Sequence, residues 1–167
     1  KLNVVANKLY QAYQCIDRGF KMNFLKYAYG DYLKHHGAMK KTFKQESRAA
    51  VTVLRFSLAE ARTQVTAIPQ GKRATAGDNV FFATDDYAEI AAGQLFVDVP
   101  ATCTELGTVG NRYIPGQINA MADKIPYVAK VENISESDGG SGEETDSAFR
   151  ERIFLAPSSY STAGPED

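Results

Sequence analysis

Apolar residues in the first forty positions recur at three- and four-residue steps, and from about Ala49 the period drops to two. Leu2, Val5, Leu9, Tyr13 and Ile16 trace one stripe of a 3.6-residue period, which predicts an amphipathic helix. Gly19 weakens the pattern, and Phe20, Phe24 and the Tyr27–Ala28 pair resume it. Gly30 allows a stop, and Asp31 suits the cap of a short third piece over residues 31–36. The stripe is expected to pack against the next domain rather than to hold a ligand. Lys40, Lys41, Lys44 and Arg48 form a basic exit, read as a solvated connector because no nucleic-acid motif interleaves them with exposed aromatics.

Strict alternation then predicts strands. In residues 52–58, Leu54, Phe56 and Leu58 share one face while Val53, Arg55 and Ser57 share the other. Residues 95–99 alternate in the same way, with Leu95, Val97 and Val99 opposite Phe96 and Asp98. In residues 127–132, Tyr127, Ala129 and Val131 oppose Val128, Lys130 and Glu132. Shorter candidates lie at 64–68, 73–76, 80–84, 87–90 and 117–121. Turn chemistry separates them. Pro69-Gln70-Gly71 suits a type I turn, Gly77-Asp78-Asn79 and Ala92-Gly93 suit hairpin ends, and Pro115-Gly116 suits a type II turn. Short strands spaced by such signals predict an antiparallel β-sandwich or barrel-like domain. The fold class is therefore α+β. A helical region over 1–48 precedes a β domain over 49–134, a glycine-rich hinge over 135–142 and a helix start over 143–167.

The hinge runs directly into the helix start, and the two together read DGGSGEETDSAFRERIF from Asp138 to Phe154. Gly139, Gly140 and Gly142 predict mobility. Ser141 with Glu144 has the form of a capping box, and Asp146 stands four residues before Arg150 on one helical face.

Composition changes this picture little. The chain has 167 residues, 44% hydrophobic and 23% charged, as in an ordinary globular protein, with no apolar run near the ~20 residues of a membrane helix. It begins with Lys1 and ends in SSYSTAGPED, which suggests a piece of a longer product. Charge is uneven. Residues 1–48 hold ten Lys/Arg against three Asp/Glu, or +7, and residues 49–167 nine against seventeen, or −8. Opposed halves can attract one another within a chain or between copies.

Candidate chemistry is sparse. Cys15 and Cys103 lie far apart without CxxC spacing, against a zinc site or a disulfide framework. His35 and His36 are adjacent, so on a helix they diverge by about 100° and do not share a metal. Asp85, Asp86 and Glu89 lack the order of a calcium loop and are read as solvated. No GxSxG elbow, P-loop or dinucleotide fingerprint is present, and the chain is read as non-enzymatic, with no cofactor or metal. A carbohydrate- or receptor-binding module is the alternative, with Phe81, Phe82 and Tyr87 as its candidate exposed aromatics. A hydrolase would need a polar cleft around His35 or His36.

Three stretches together resemble the baseplate-J-like family of contractile phage tails and related injection particles. They are IPQGKRATAGDNVFFATDD (68–86), IAAGQLFVDVPATCTELGTVGNRYIPGQINAMADKIPYVAKVEN (90–133) and GGSGEETDSAFRERI (139–153). The front LKYAYGDYLKHHGAMKK (25–41) and the Ser161-Thr162-Ala163-Gly164 segment are also similar to family elements. Gly142 and Lys72 depart from the family pattern, where an acidic residue and Thr are common. The positions matching the motifs are Pro69, Gly71, Gly77, Gly93, Pro100, Gly110, Asn111, Gly116, Gly139, Gly140, Asp146, Arg150 and Arg152, all structural. The resemblance implies a non-catalytic wedge subunit that links hub and sheath, in a fragment lacking its C-terminal region. It implies other baseplate and tail proteins and further copies as partners, with neither nucleic acid nor membrane. It also implies assembly in the host cytoplasm and a final place in the virion tail baseplate.

Overall fold

The computed structural model describes residues 2–156; the serine-rich 161–164 segment lies outside them. The element order is α1 (Leu2–Met22), α2 (Gly30–Met39), β1 (Ala49–Leu58), β2 (Thr66–Ile68), β3 (Arg73–Thr75), β4 (Phe81–Thr84), β5 (Ala88–Ile90), β6 (Phe96–Leu106), β7 (Ala120–Met121), β8 (Val128–Asn133) and α3 (Asp146–Leu155). The chain is α+β, as its periods predict. Its described residues divide into two compact units, Glu46–Glu143 and the described residues on either side of that span.

The first of these is a nearly closed antiparallel barrel. Its six-stranded sheet runs β7-β3-β4-β6-β1-β8, and the two end strands lie beside one another. β2 and β5 form a separate two-stranded sheet. The alternation of β1 turns Leu54, Phe56 and Leu58 inward, where Phe82, Val99, Ile118 and Val131 meet them. β6 runs past Pro100 to Leu106, further than its apolar alternation reached. The Pro100 carbonyl accepts the Asp85 N–H at 2.9 Å on the β4 side, so its missing donor faces away from the β1 ladder. In β8 the predicted faces are not kept. Val128 and Val131 are both buried, because the register against β1 shifts between Ser57 and Leu58, and Tyr127 stands outside the strand with φ +69°.

Arg73 of β3 ties down the segment after β7. Its Nε and Nη2 donate to the two Asp123 oxygens at 2.9 and 3.1 Å, which holds that carboxyl at about 2. A depressed folded pKa stabilises the fold above the unfolded value near 4, and this is lost as pH falls through about 2. The Arg73 side chain is 48% exposed, so solvent screens the pair and its effect is modest. Asp123→Asn is expected to flatten the fall in urea midpoint between pH 4 and 2; an unchanged acid limb would assign it to other carboxylates.

In the other unit, α1 runs through Gly19 without a break, an interior glycine costing about 1 kcal/mol. The apolar stripe, expected to be packed, is exposed: Val5, Leu9, Tyr13, Ile16 and Phe20 are 56–70% accessible. The third helical piece spans Gly30–Met39, and its N-cap is Tyr29 with no side-chain cap bond, not Asp31. A small core joins α2 to α3 through Ala28, Leu33, Phe149 and Ile153. Gly37 is what lets α3 approach, since a Cβ there would stand 2.6 Å from Phe149 Cζ.

Candidate functional site

The family-motif positions divide into turns, a clamp and a helix anchor. Gly71, Gly77, Gly93 and Gly116 adopt φ between +78° and +96°, as the turn chemistry after Pro69 and around Pro115 requires. Gly71 N–H donates across to Thr84 O of β4 at 2.8 Å, and Gly116 N–H donates to Asn133 O at 2.8 Å.

The clamp gathers Gly110, Asn111, Gly139 and Gly140, which are about 29 residues apart in sequence. Asn111 Nδ2 donates to Gly140 O at 2.8 Å, and Gly140 N–H donates back to Asn111 Oδ1 at 2.9 Å. The side-chain amide thus acts as one rung of a β ladder. On either side the backbone continues the edge of β1. Val51 and Asp138 exchange both bonds, at 2.8 and 3.1 Å, as do Arg48 and Ser141, at 2.9 and 3.0 Å. The glycine-rich stretch expected to be mobile is therefore hydrogen-bonded at Asp138 to β1 and at Ser141 to Arg48, the residue before it. Gly139 supplies φ +89° between the two bridges. Gly110 lies so close to Cys103 that a Cβ would stand 2.8 Å from the sulfur.

The start of α3 is not the predicted capping box. Ser141 is paired with Arg48 just before β1, and the N-cap is Thr145, whose Oγ1 accepts the Ala148 N–H at 3.3 Å. Glu144 instead takes Arg152 in a bidentate pair, 2.7 Å on each side, which keeps its carboxyl below the usual range. Asp146 faces Lys44 at 3.0 Å rather than forming the predicted Arg150 pair, and the Lys44 hydrogen bond lowers its pKa. Arg150 donates to the carbonyls of Leu25 and Ala28 at 3.0 and 2.8 Å, satisfying the end of the loop before α2.

Two buried polar groups escaped the sequence reading. Asn133, 1% exposed, donates to Tyr113 O, Ile114 O and Ser135 O and accepts the Ile118 N–H at 2.9 Å. Ser137 donates to Gly110 O and accepts from Tyr113 N–H. Tyr113 meets Phe82 edge-on at 5.5 Å and donates its hydroxyl to Asp78; burial and that carboxylate push it up to about 12. The only signal was the place of Asn133 directly after the alternating positions of 127–132, and nothing in the polar run around Ser137 marked it.

The exposed aromatic cluster expected for a sugar site is not formed. Phe82 is fully buried, Phe81 lies on the opposite face of β4, and Tyr87 donates its hydroxyl to Glu89. His36 Nε2 lies 3.1 Å from Met22 O, and His35 is exposed. Asp85 accepts the Thr102 hydroxyl at 2.9 Å. Cys15 and Cys103 are free, and no cluster of metal-binding side chains occurs among the described residues. No helix among them is long and apolar enough to cross a membrane. What the motif residues build is a shape-holding clamp and a helix anchor.

No curated protein matches the chain. Among solved structures it is similar to the anti-feeding prophage (AFP) baseplate determined by cryo-EM with six-fold symmetrisation. The identity is 12% and the TM-score 0.48, over 65% of this chain and 37% of that one. The chain thus spans little more than a third of that protein. Residues 53–140 match the Baseplate J-like protein barrel domain, a span running from within β1 to the Asn111–Gly140 clamp. More than half of the chain is covered by that match, and the chain belongs to the Baseplate J-like family.

Proposed function

We propose that this chain is a structural wedge component of a tail baseplate, working by protein–protein contact between hub and sheath and without catalysis. Its partners on this reading are other baseplate and tail proteins together with further copies of itself. It would assemble in the host cytoplasm and end in the tail baseplate of the particle. Beyond family membership, the observation that carries the reading is α1. Most of the stability of a helix in a protein comes from packing its amphipathic face rather than from propensity. Here Leu9, Tyr13, Ile16 and Phe20 lie open along one side. Burying a Leu or Ile contributes roughly 1.5–3 kcal/mol, so a partner covering this stripe would gain substantially.

Co-expression with the tail proteins encoded beside it, followed by light-scattering size measurement, tests this. Stable co-elution is expected, weakened by about two orders of magnitude in Leu9→Ser/Ile16→Ser, while the barrel's thermal transition stays in place. Co-elution indifferent to both substitutions would remove α1 from the interface. Failure to associate with any tail protein would contradict the assembly role itself.

A further inference from the structure

One side of the barrel unit carries a cavity of about 340 Å³ between β2 and the loop before β8. Arg62, Lys72 and Lys124 line it, and no carboxylate does. Neither lysine ammonium makes a hydrogen bond or ion pair among the described residues, although Lys72 lies within electrostatic reach of Asp123, already held by Arg73. The Arg62 guanidinium lies 3.5 Å from the Tyr127 ring centroid and spends a single donor, on Thr66 Oγ1 at 3.2 Å. Five N–H groups are available on a guanidinium, so donors remain.

Tyr127 is the second observation. Its φ of +69° is rare for a bulky residue and persists only where the surroundings enforce it. Here the strain sets a ring, 66% exposed in total, against Arg62 at the cavity mouth. The third observation is the strand edge. β2 pairs with β5 alone, so its other edge has no strand partner among the described residues, while Thr66 and Ala67 line the cavity. An open strand edge is a template for an extended peptide, whose side chains then alternate into adjoining pockets.

We propose that this cavity is a docking site for an extended, acidic peptide segment of a neighbouring protein, which adds to the edge of β2 and places a carboxylate between Arg62, Lys72 and Lys124. Three cations with no carboxylate among the lining residues select the charge, and the open strand edge selects a peptide backbone over a free anion. This site deepens the assembly reading above and rests on it for the partner being a protein.

The test uses the full chain, isotope-labelled for NMR. The probes are a Thr/Val decapeptide with a central Glu-Val-Glu, the same peptide with Gln-Val-Gln, inorganic phosphate and 3′-sialyllactose. The Glu peptide is expected to shift the amides of β2 and of Lys124 and Tyr127, to bind on the order of tenfold tighter than the Gln peptide, and to weaken with salt. Lys72→Gln/Lys124→Gln is expected to remove that tenfold preference. Tyr127→Gly relieves the strained backbone and should keep or raise the thermal midpoint while weakening the peptide. No binding of the Glu peptide, equal binding of both peptides, shifts mapping elsewhere, or phosphate or sialyllactose binding in place of the peptide would each overturn the proposal. Because the peptides alone give the charge preference, a misfolded variant does not rescue it. Failure here together with intact co-elution with tail proteins removes this site and leaves the assembly role standing.

Discussion

Replacing Gly140 by alanine is expected to destabilise the barrel by about 2–4 kcal/mol, whereas the same change at Gly142 is expected to be near neutral. A Cβ on Gly140 would overlap the Gly107 carbonyl oxygen and stand 2.7 Å from Asn111 Oδ1 and 3.2 Å from the Ala50 nitrogen. Two of these three neighbours are backbone and cannot swing aside. The third is the clamp amide, so relief in that direction breaks the paired bonds between Asn111 and Gly140. At Gly142 nothing lies within 4 Å of the added atom. For a domain of this size each kcal/mol moves the thermal midpoint by about 4–8 °C, so Gly140→Ala should fall by roughly 10–25 °C. Equal tolerance at the two glycines, measured by thermal melts of the full chain, would mean that 138–141 is a loose linker after all.

Asn133→Ala is the second large effect, at about 2–4 kcal/mol. The side chain is 1% exposed and its amide reaches three carbonyls and one N–H, belonging to Tyr113, Ile114, Ser135 and Ile118. Alanine leaves those groups in the interior without their partner, and each orphan costs more than the bond it made. Asn133→Asp separates the donor from the acceptor half of the amide. It keeps an oxygen for Ile118 but aims a carboxylate at carbonyls, so burial and that clash raise its folded pKa. Stability in this variant is therefore present below the unfolded pKa near 4 and lost as pH rises through the folded value. Denaturant melts at pH 4 and 7 should show the Asp variant recovering in acid while the Ala variant does not. A pH-independent Asp variant would show that the surroundings of residue 133 are open to water.

Much of this fold is written in local pattern. β1 shows its inward residues because one face of a barrel strand is buried and the other is not, which is the condition for a clean period of two. The turns were legible for a similar reason, since a positive φ selects Gly at Gly71 and Gly116 whatever surrounds them. The failures have a common cause, which is competition from partners distant in sequence. Ser141 and Glu144 carry a capping box by spacing, but Arg48 takes the first and Arg152 the second, leaving the cap to Thr145. Asp146 could pair with Arg150 on one helical face, yet Lys44 reaches it. The clamp and the Asn133 hub depend on which loops the barrel brings together, and no spacing rule contains that. The Asn111, Gly139 and Gly140 positions were visible as members of a motif. Their hydrogen bonds to each other and to β1 were not.

A clamp that fastens the glycine-rich segment to β1 suits a subunit whose work is to hold shape, because large rearrangements need modules that move as bodies. On the proposals above, the exposed stripe on α1 and the cationic cavity beside β2 are two chemically different docking surfaces, one apolar and one charged. Cryo-electron microscopy of particles from the strain that encodes this chain, with its gene deleted and then restored, is the most direct test of a structural baseplate role. Deletion is predicted to leave tails without a complete baseplate, with restoration by the wild-type chain and not by Leu9→Ser/Ile16→Ser. Complete, contractile particles in its absence would contradict that role.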